Sequence, residues 1–219
     1  MTRLIIVRHA ESALNFQNRI QGHFDSQLTA KGLNQARRLA HRIRLFKIDK
    51  IYSSDLGRAY STTVEITRHL RRVKIIRDPR LREILLGDWE GMTPEEVDEL
   101  YNKGFKRWLK KPSACVIPNA EKIGHFRKRV TARVRQIARQ NNGKTVLIVT
   151  HGGVITALLA DWFKADFDRI LRGFHIENTS LTFVEFGARP FPLLWVINDT
   201  DHLAQKDKND QRFIHRKHS

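Results

Sequence analysis

The chain has 219 residues, 41% hydrophobic and 29% charged, with 40 Lys+Arg against 23 Asp+Glu for a formal charge of +17. That make-up is one of an ordinary globular domain, and it excludes collagen-like, low-complexity and wholly disordered classes. Cys115 is the only cysteine, so there is no disulfide framework, and no apolar run approaches the ~18–20 residues that span a bilayer.

In chain order, Leu4-Ile5-Ile6-Val7 is a continuous apolar run, the pattern of a strand buried on both faces and too short for a signal segment. A soluble protein of a reducing, cytoplasmic compartment is expected. Thr29 caps a helix whose apolar face is Leu33, Ala36, Leu39, Ala40 and Ile43. Lys50 to Ser53 reads as a short strand feeding a helix from Arg58 to Leu70. Thr93-Pro94-Glu95-Glu96 is a start signal for a short helix through about Tyr101. Ile123, Phe126, Val130, Val134 and Ile137 recur at helical steps, and Asn142-Gly143 ends that helix. Thr145 to Thr150 repeats the buried-strand pattern, and an apolar helix from Val154 to Phe163 follows.

Strands alternating with helices predict an α/β fold, a three-layer sandwich with a largely parallel central sheet and helices on both faces. No repeat or Gly/Pro/Ser-rich linker divides the chain, so residues 1–204 are expected to be one catalytic domain. Residues 205–219 are mostly charged and polar, with Phe213 and Ile214 the only large apolar side chains, and predict a frayed basic tail. His215 and His218 within it read as a loose surface pair. Basic clusters such as Arg37-Arg38, Arg71-Arg72 and Lys110-Lys111 read as solvated surface, although the net charge draws anions of any kind.

Chemistry concentrates at the strand ends. Arg8-His9 follows the first strand, Thr150-His151-Gly152-Gly153 follows the late one, and Ser53 to Arg58 puts an arginine at a third exit. Parallel strands bring such exits to one edge, where open α/β sheets bind ligands. A lone His after a strand is more often structural than catalytic. Two His and two Arg together make an anion pocket containing a nucleophile. Guanidinium forks match phosphate oxygens bidentately, and a neutral imidazole attacks phosphorus. Leu81-Arg82-Glu83 and Gly87-Asp88-Trp89-Glu90-Gly91 add carboxylates on a loop.

Arg8-His9-Ala10-Glu11-Ser12 with Asn15, then Gln21-Gly22, Asp25 and Leu28-Thr29, resembles the N-terminal signature of the histidine phosphatase, or phosphoglycerate mutase-like, superfamily. Ser53 to Arg58 with Thr62-Thr63, the Glu83 loop and Thr150 to Gly153 resemble its later motifs in the same order. Pro118 with Glu121 and Arg129-Val130, and Asn178-Thr179-Ser180, agree more weakly. The resemblance implies His9 as the nucleophile and Arg8, Arg58 and His151 as phosphoryl ligands. It implies Glu83 as the proton donor, Asn15 near the phosphate, and Gln21 and Gly22 at the entrance. Gly152 is counted with the substrate-binding residues. Ala10 replaces the family's usual Gly, and Asn119-Ala120-Glu121-Lys122 replaces its Gly-Gly-Glu-Ser.

The expected activity is metal-independent hydrolysis of a small phosphorylated metabolite through a phosphohistidine intermediate, with no cofactor. A phosphoglycerate mutase is the alternative, disfavoured because the stretch from Trp89 to Glu121 is short for a shielding cover. A basic nucleic-acid-binding protein is the second alternative, but no zinc-finger spacing or aromatic RNA-binding strand is present. Oligomeric state and the particular ester are not legible.

Overall fold

The computed structural model describes residues 1–68, 70, 73–189, 191–204 and 207–208. Its elements are β1 (Thr2–Arg8), α1 (Ala13–Phe16), α2 (Ala30–Ile43), β2 (Lys50–Ser53), α3 (Gly57–Thr67), β3 (Ile75–Arg77), α4 (Pro94–Leu100) and α5 (Gly104–Lys110). These are followed by α6 (Ile123–Gln140), β4 (Thr145–Thr150), α7 (Gly152–Trp162), α8 (Phe167–Gly173), β5 (Leu181–Phe186) and β6 (Leu193–Asp199). The six strands form one sheet in the order β3-β2-β4-β1-β5-β6. It is parallel from β3 to β1 and antiparallel at β5 and β6.

The alternation of side chains along β1 explains the layers. Leu4 and Ile6 pack with α6, α7 and α8, while Ile5 and Val7 pack with Leu39 and Ile43 of α2 and Ala59 and Ile66 of α3. All four β1 residues are at most 2% exposed. At about 1.5–3 kcal/mol for each fully buried aliphatic side chain, this strand alone holds the two helical layers with about 6–12 kcal/mol of gross burial. The three-layer α/β sandwich is therefore as the sequence predicts.

The caps behave as expected. Thr29 Oγ1 accepts from Gly32 N, and Thr93 forms a reciprocal capping box with Glu96. Two helices differ in extent from the sequence reading. The helix after β4 begins at Gly152, because glycine costs little in a first turn whose N–H groups have no helical partner. The helix after β2 ends at Thr67, short of Leu70. Of the stretch 205–219, only Asp207 and Lys208 are described, and for these two the expectation of fraying fails. Asp207 is buried and accepts from Asn34 Nδ2 and Gln35 Nε2, Arg38 pairs with its carboxylate, and Lys31 Nζ donates to Lys208 O. Arg71, Arg72, Phe213, Ile214, His215 and His218 lie outside the described residues.

Candidate active site

Pairing of β1 with β4 sets Arg8 beside Thr150, so the next residues of each strand, His9 and His151, meet at the carboxyl edge. Their ring centroids are 5.1 Å apart. His9 Nδ1 lies 2.8 Å from Ala10 O, and His9 Nε2 lies 3.3 Å from Arg58 Nε. A carbonyl only accepts and a guanidinium only donates, so these partners select the neutral tautomer with the proton on Nδ1 and the lone pair on Nε2. Burial, reinforced by the charges of Arg58 and then Arg8, pushes the His9 imidazole well below its ordinary value. His9 thus stays unprotonated at neutral pH, with the Nε2 lone pair available.

His151 is fully buried, and burial followed by Arg58, His9 and Arg8 likewise pushes it well down. Its Nε2 meets Ser54 Oγ at 2.8 Å, while its Nδ1 is buried with no hydrogen-bond partner. Buried polar groups without partners are rare. The Ser54 hydroxyl both donates and accepts, so it suits Nε2 of either neutral tautomer.

Arg58 stands in the first turn of α3 and is 1% exposed. Its Nη2 donates to Gly22 O at 2.7 Å, and its Nη1 donates to Phe24 O at 3.2 Å and Asp25 Oδ1 at 3.1 Å. Asp25 also accepts from Gly57 N and Arg58 N, supplying α3 with the cap that its own Leu56 cannot. Gly22 has φ +52°, and a Cβ there would fall 2.0 Å from Glu90 Oε1, so this turn admits only glycine. Arg8 Nη1 donates to Ile176 O at 2.5 Å from the far side of the cavity.

Glu83 enters from the loop after β3. Its Oε1 accepts from Ile84 N at 3.0 Å and its Oε2 from Gly153 N at 2.9 Å, in the first turn of α7. A Cβ on Gly153 would lie 2.3 Å from Glu83 Oε1. The close approach expected of Gly152-Gly153 is therefore used by Glu83 itself. Arg129 holds the loop by donating to the carbonyls of Arg80, Arg82 and Glu83 while pairing with Glu121 at 2.7 Å. His23 Nε2 also meets Glu83 O, at 2.9 Å. The other loop carboxylates are committed elsewhere. Asp55 is gripped by the Arg82 fork, which holds it below its ordinary value; Asp88 accepts from Asn119, and Glu90 accepts from the backbone of His23, Phe24 and Leu86.

These groups surround a cavity of about 440 Å³ lined by Arg8, His9, Asn15, Gln21, Gly22, Arg58, Glu83 and Gly152 among others. His151 lies beneath it, so all nine candidate residues converge. Gln21 is not a bare entrance group, because its Oε1 takes the Ser12 hydroxyl at 2.8 Å. The buried methyl of Ala10 fits without displacing its N–H from Thr62 Oγ1. Asn119 sits at φ +59°, the left-handed conformation that glycine favours and asparagine tolerates, which accounts for the departure there. The positioning residues less visible in the sequence are Asn178, whose Nδ2 donates to His9 O at 2.8 Å, and His23.

A profile of the histidine phosphatase superfamily (branch 1) matches residues 4–199. The chain belongs to this superfamily. Phosphoserine phosphatase 1 of Hydrogenobacter thermophilus is 32% identical over 205 residues, covering 94% of this chain and 96% of the relative. A probable phosphoglycerate mutase of Yersinia enterocolitica is 32% identical over 212 residues, covering 93% and 95%. Among solved structures, Bacillus stearothermophilus YhfR superposes with a TM-score of 0.88 at 34% identity, covering 92% of this chain and 99% of that one. This histidine phosphatase thus matches phosphatase and probable mutase relatives over nearly equal spans. Chain length therefore does not separate the two activities among them.

Proposed function

We propose that the protein is a metal-independent phosphomonoesterase that hydrolyses a small phosphorylated metabolite through a phosphohistidine on His9. The carrying observation is the hydrogen-bonded tautomer of His9, which leaves the Nε2 lone pair beside Arg58. In the first step Nε2 attacks phosphorus and the P–O bond to the leaving alcohol breaks. Arg8, Arg58 and His151 receive the charge spread over the phosphoryl oxygens, the task a metal performs elsewhere. Glu83 gives a proton to the leaving oxygen. In the second step Glu83 takes a proton from water, water oxygen attacks phosphorus, and the P–N bond breaks to release phosphate and restore His9.

Hydrolysis rather than transfer back to substrate is favoured by an entrance that stays wet. Phe16 and Phe174 at its rim are 66% and 41% exposed. The stretch from Trp89 to Glu121 gives Pro94, Phe105 and Trp108 to one wall. The test is His9→Ala together with acid- and base-stability of phosphoryl groups trapped on the wild-type enzyme during turnover. Loss of turnover in the variant and an acid-labile, base-stable phosphoryl group are expected. Near-normal activity of the variant would overturn the role of His9.

A further inference from the structure

The cavity outside the phosphoryl ligands has a composition that bears on the leaving group. Part of its wall is apolar, with Phe16 from α1, Ile20, Phe105 and Trp108 from α5, and Leu171 and Phe174 from the α8 end, while Asn15, Asn18, Arg19, Gln21 and His175 line the rest. Phe16 and Phe174 are large apolar side chains kept substantially exposed at the rim of a cavity, a position that marks a surface awaiting apolar contact. Trp108 is fixed from behind by an edge contact with buried Trp89, at 6.3 Å between ring centroids, so this wall is pre-formed.

The basic side chains of the cavity are also accounted for. Among the described lining residues, those beyond Arg8, His9 and Arg58 are Arg19 and His175. Arg19 pairs with Glu96 at 3.0 Å and donates to Gly91 O at 2.6 Å. His175 Nε2 meets Glu177 Oε2 at 3.0 Å. To gain a partner, a carboxylate on the leaving group has to compete with Glu96 or Glu177 in these part-exposed pairs; otherwise it lies without one beside the aromatic rings.

Resting on the phosphatase reading above, we propose that this site selects esters whose leaving group is an uncharged apolar chain or ring. It discriminates against carboxylate-bearing esters such as phosphoserine, the substrate in the name of its Hydrogenobacter relative. Phe16, Phe105, Trp108 and Phe174 are the specificity-determining residues. An apolar wall contributes about fourfold for each fully buried methylene and about twofold at half burial.

The experiment compares kcat/KM for ethyl phosphate, hexyl phosphate and phosphoserine, which all expel alkoxides. In parallel, the binding of hexylphosphonate, methylphosphonate and 2-amino-3-phosphonopropionate is measured by calorimetry and requires no turnover. Hexyl phosphate exceeding ethyl phosphate by about tenfold or more, with phosphoserine below both and the phosphonates in the same order, supports the proposal. The hexyl-to-ethyl ratio should then collapse at least threefold in Phe174→Ser and in Phe16→Ser, two exposed positions where folding is not at stake. Phosphoserine as the best ester, or its phosphonate as the tightest ligand, would overturn it, and so would a hexyl-to-ethyl ratio near one. Failure of the phosphatase reading shows separately, as absence of phospho-His9 with every ester. The phosphonate order still supports or overturns the apolar wall in that event.

Discussion

Two buried histidines and a half-buried third make acid the sharpest perturbation of this fold. His9 and His151 are pushed well below their ordinary value by burial, and burial also brings His202 down to about 4. In the unfolded chain each titrates near 6.5. A depressed histidine keeps the native state neutral, so its contribution is complete above pH 6.5 and is lost as pH falls below it, where the unfolded chain binds protons that the native state refuses. Each such proton is worth about 1.4 kcal/mol per pH unit, so three give a slope of about 4 kcal/mol per unit. For His202 the loss ends near its own value of about 4, after about 3 kcal/mol in all. Against a usual domain stability of about 5–15 kcal/mol, a fall of one to two pH units is enough to approach unfolding. The assay is urea unfolding at pH 7.5, 6.5 and 5.5 in phosphate-free buffer, a window above most carboxylate titration. His202→Asn should remove about a third of the slope. A midpoint unchanged between pH 7.5 and 5.5 would refute the reasoning, because it would require the buried imidazoles to accept protons without unfolding.

Glu83→Gln should slow single-turnover phosphorylation by about 10²–10⁴-fold with an alkyl phosphate and far less with 4-nitrophenyl phosphate, whose leaving group needs no proton. Equal losses with both would reduce Glu83 to a binding residue. Asp25→Ala takes a carboxylate from buried Arg58 and the cap from α3 at once. It should cost about 3 kcal/mol in urea unfolding and at least tenfold in kcat/KM. Asp25→Asn restores a capping acceptor and should recover about 1 kcal/mol of stability without the rate, so identical behaviour of the two variants would show that cap and charge are not separate. Activity should survive exhaustive chelation and be inhibited by vanadate, which adopts five-coordinate geometry between Arg8, Arg58 and His151. Loss with EDTA and recovery with a divalent ion would count against the metal-independent mechanism.

The interior strands were legible because burial on both faces leaves nothing but apolar residues, as in Leu4 to Val7 and Val146 to Val149. The last two strands were not. β5 and β6 pair antiparallel with register shifts, and β6 leaves Trp195 and Val196 exposed, so no simple alternation marks it. The residues that meet at the carboxyl edge of the sheet could be read because strand exits are predictable from the strands. The contact of His23 with Glu83 O had no such signature, and the Arg129–Glu121 clamp showed only as a weaker agreement with the family pattern, since their targets on the loop are backbone carbonyls, which any residue supplies. For the same reason the polar tail concealed Asp207, whose docking depends on Asn34, Gln35 and Arg38 far earlier in the chain.

The strand order also fixes when the enzyme comes into being during its own synthesis. β1 is made first, yet its neighbours in the sheet are β4 and β5, whose residues run from Thr145 to Phe186. At about 5–20 residues per second, the ribosome leaves Leu4 to Val7 without a pairing partner for about ten to thirty seconds. A nascent chain halted before Thr145 holds His9 and Arg58 but neither sheet partner of the strand that presents His9. Only emergence of the last third brings His151 alongside and gives β1 both its neighbours. Catalytic competence therefore arrives late and in one step, and the burden of keeping the most apolar strand from other chains falls on whatever shelters the growing polypeptide until then.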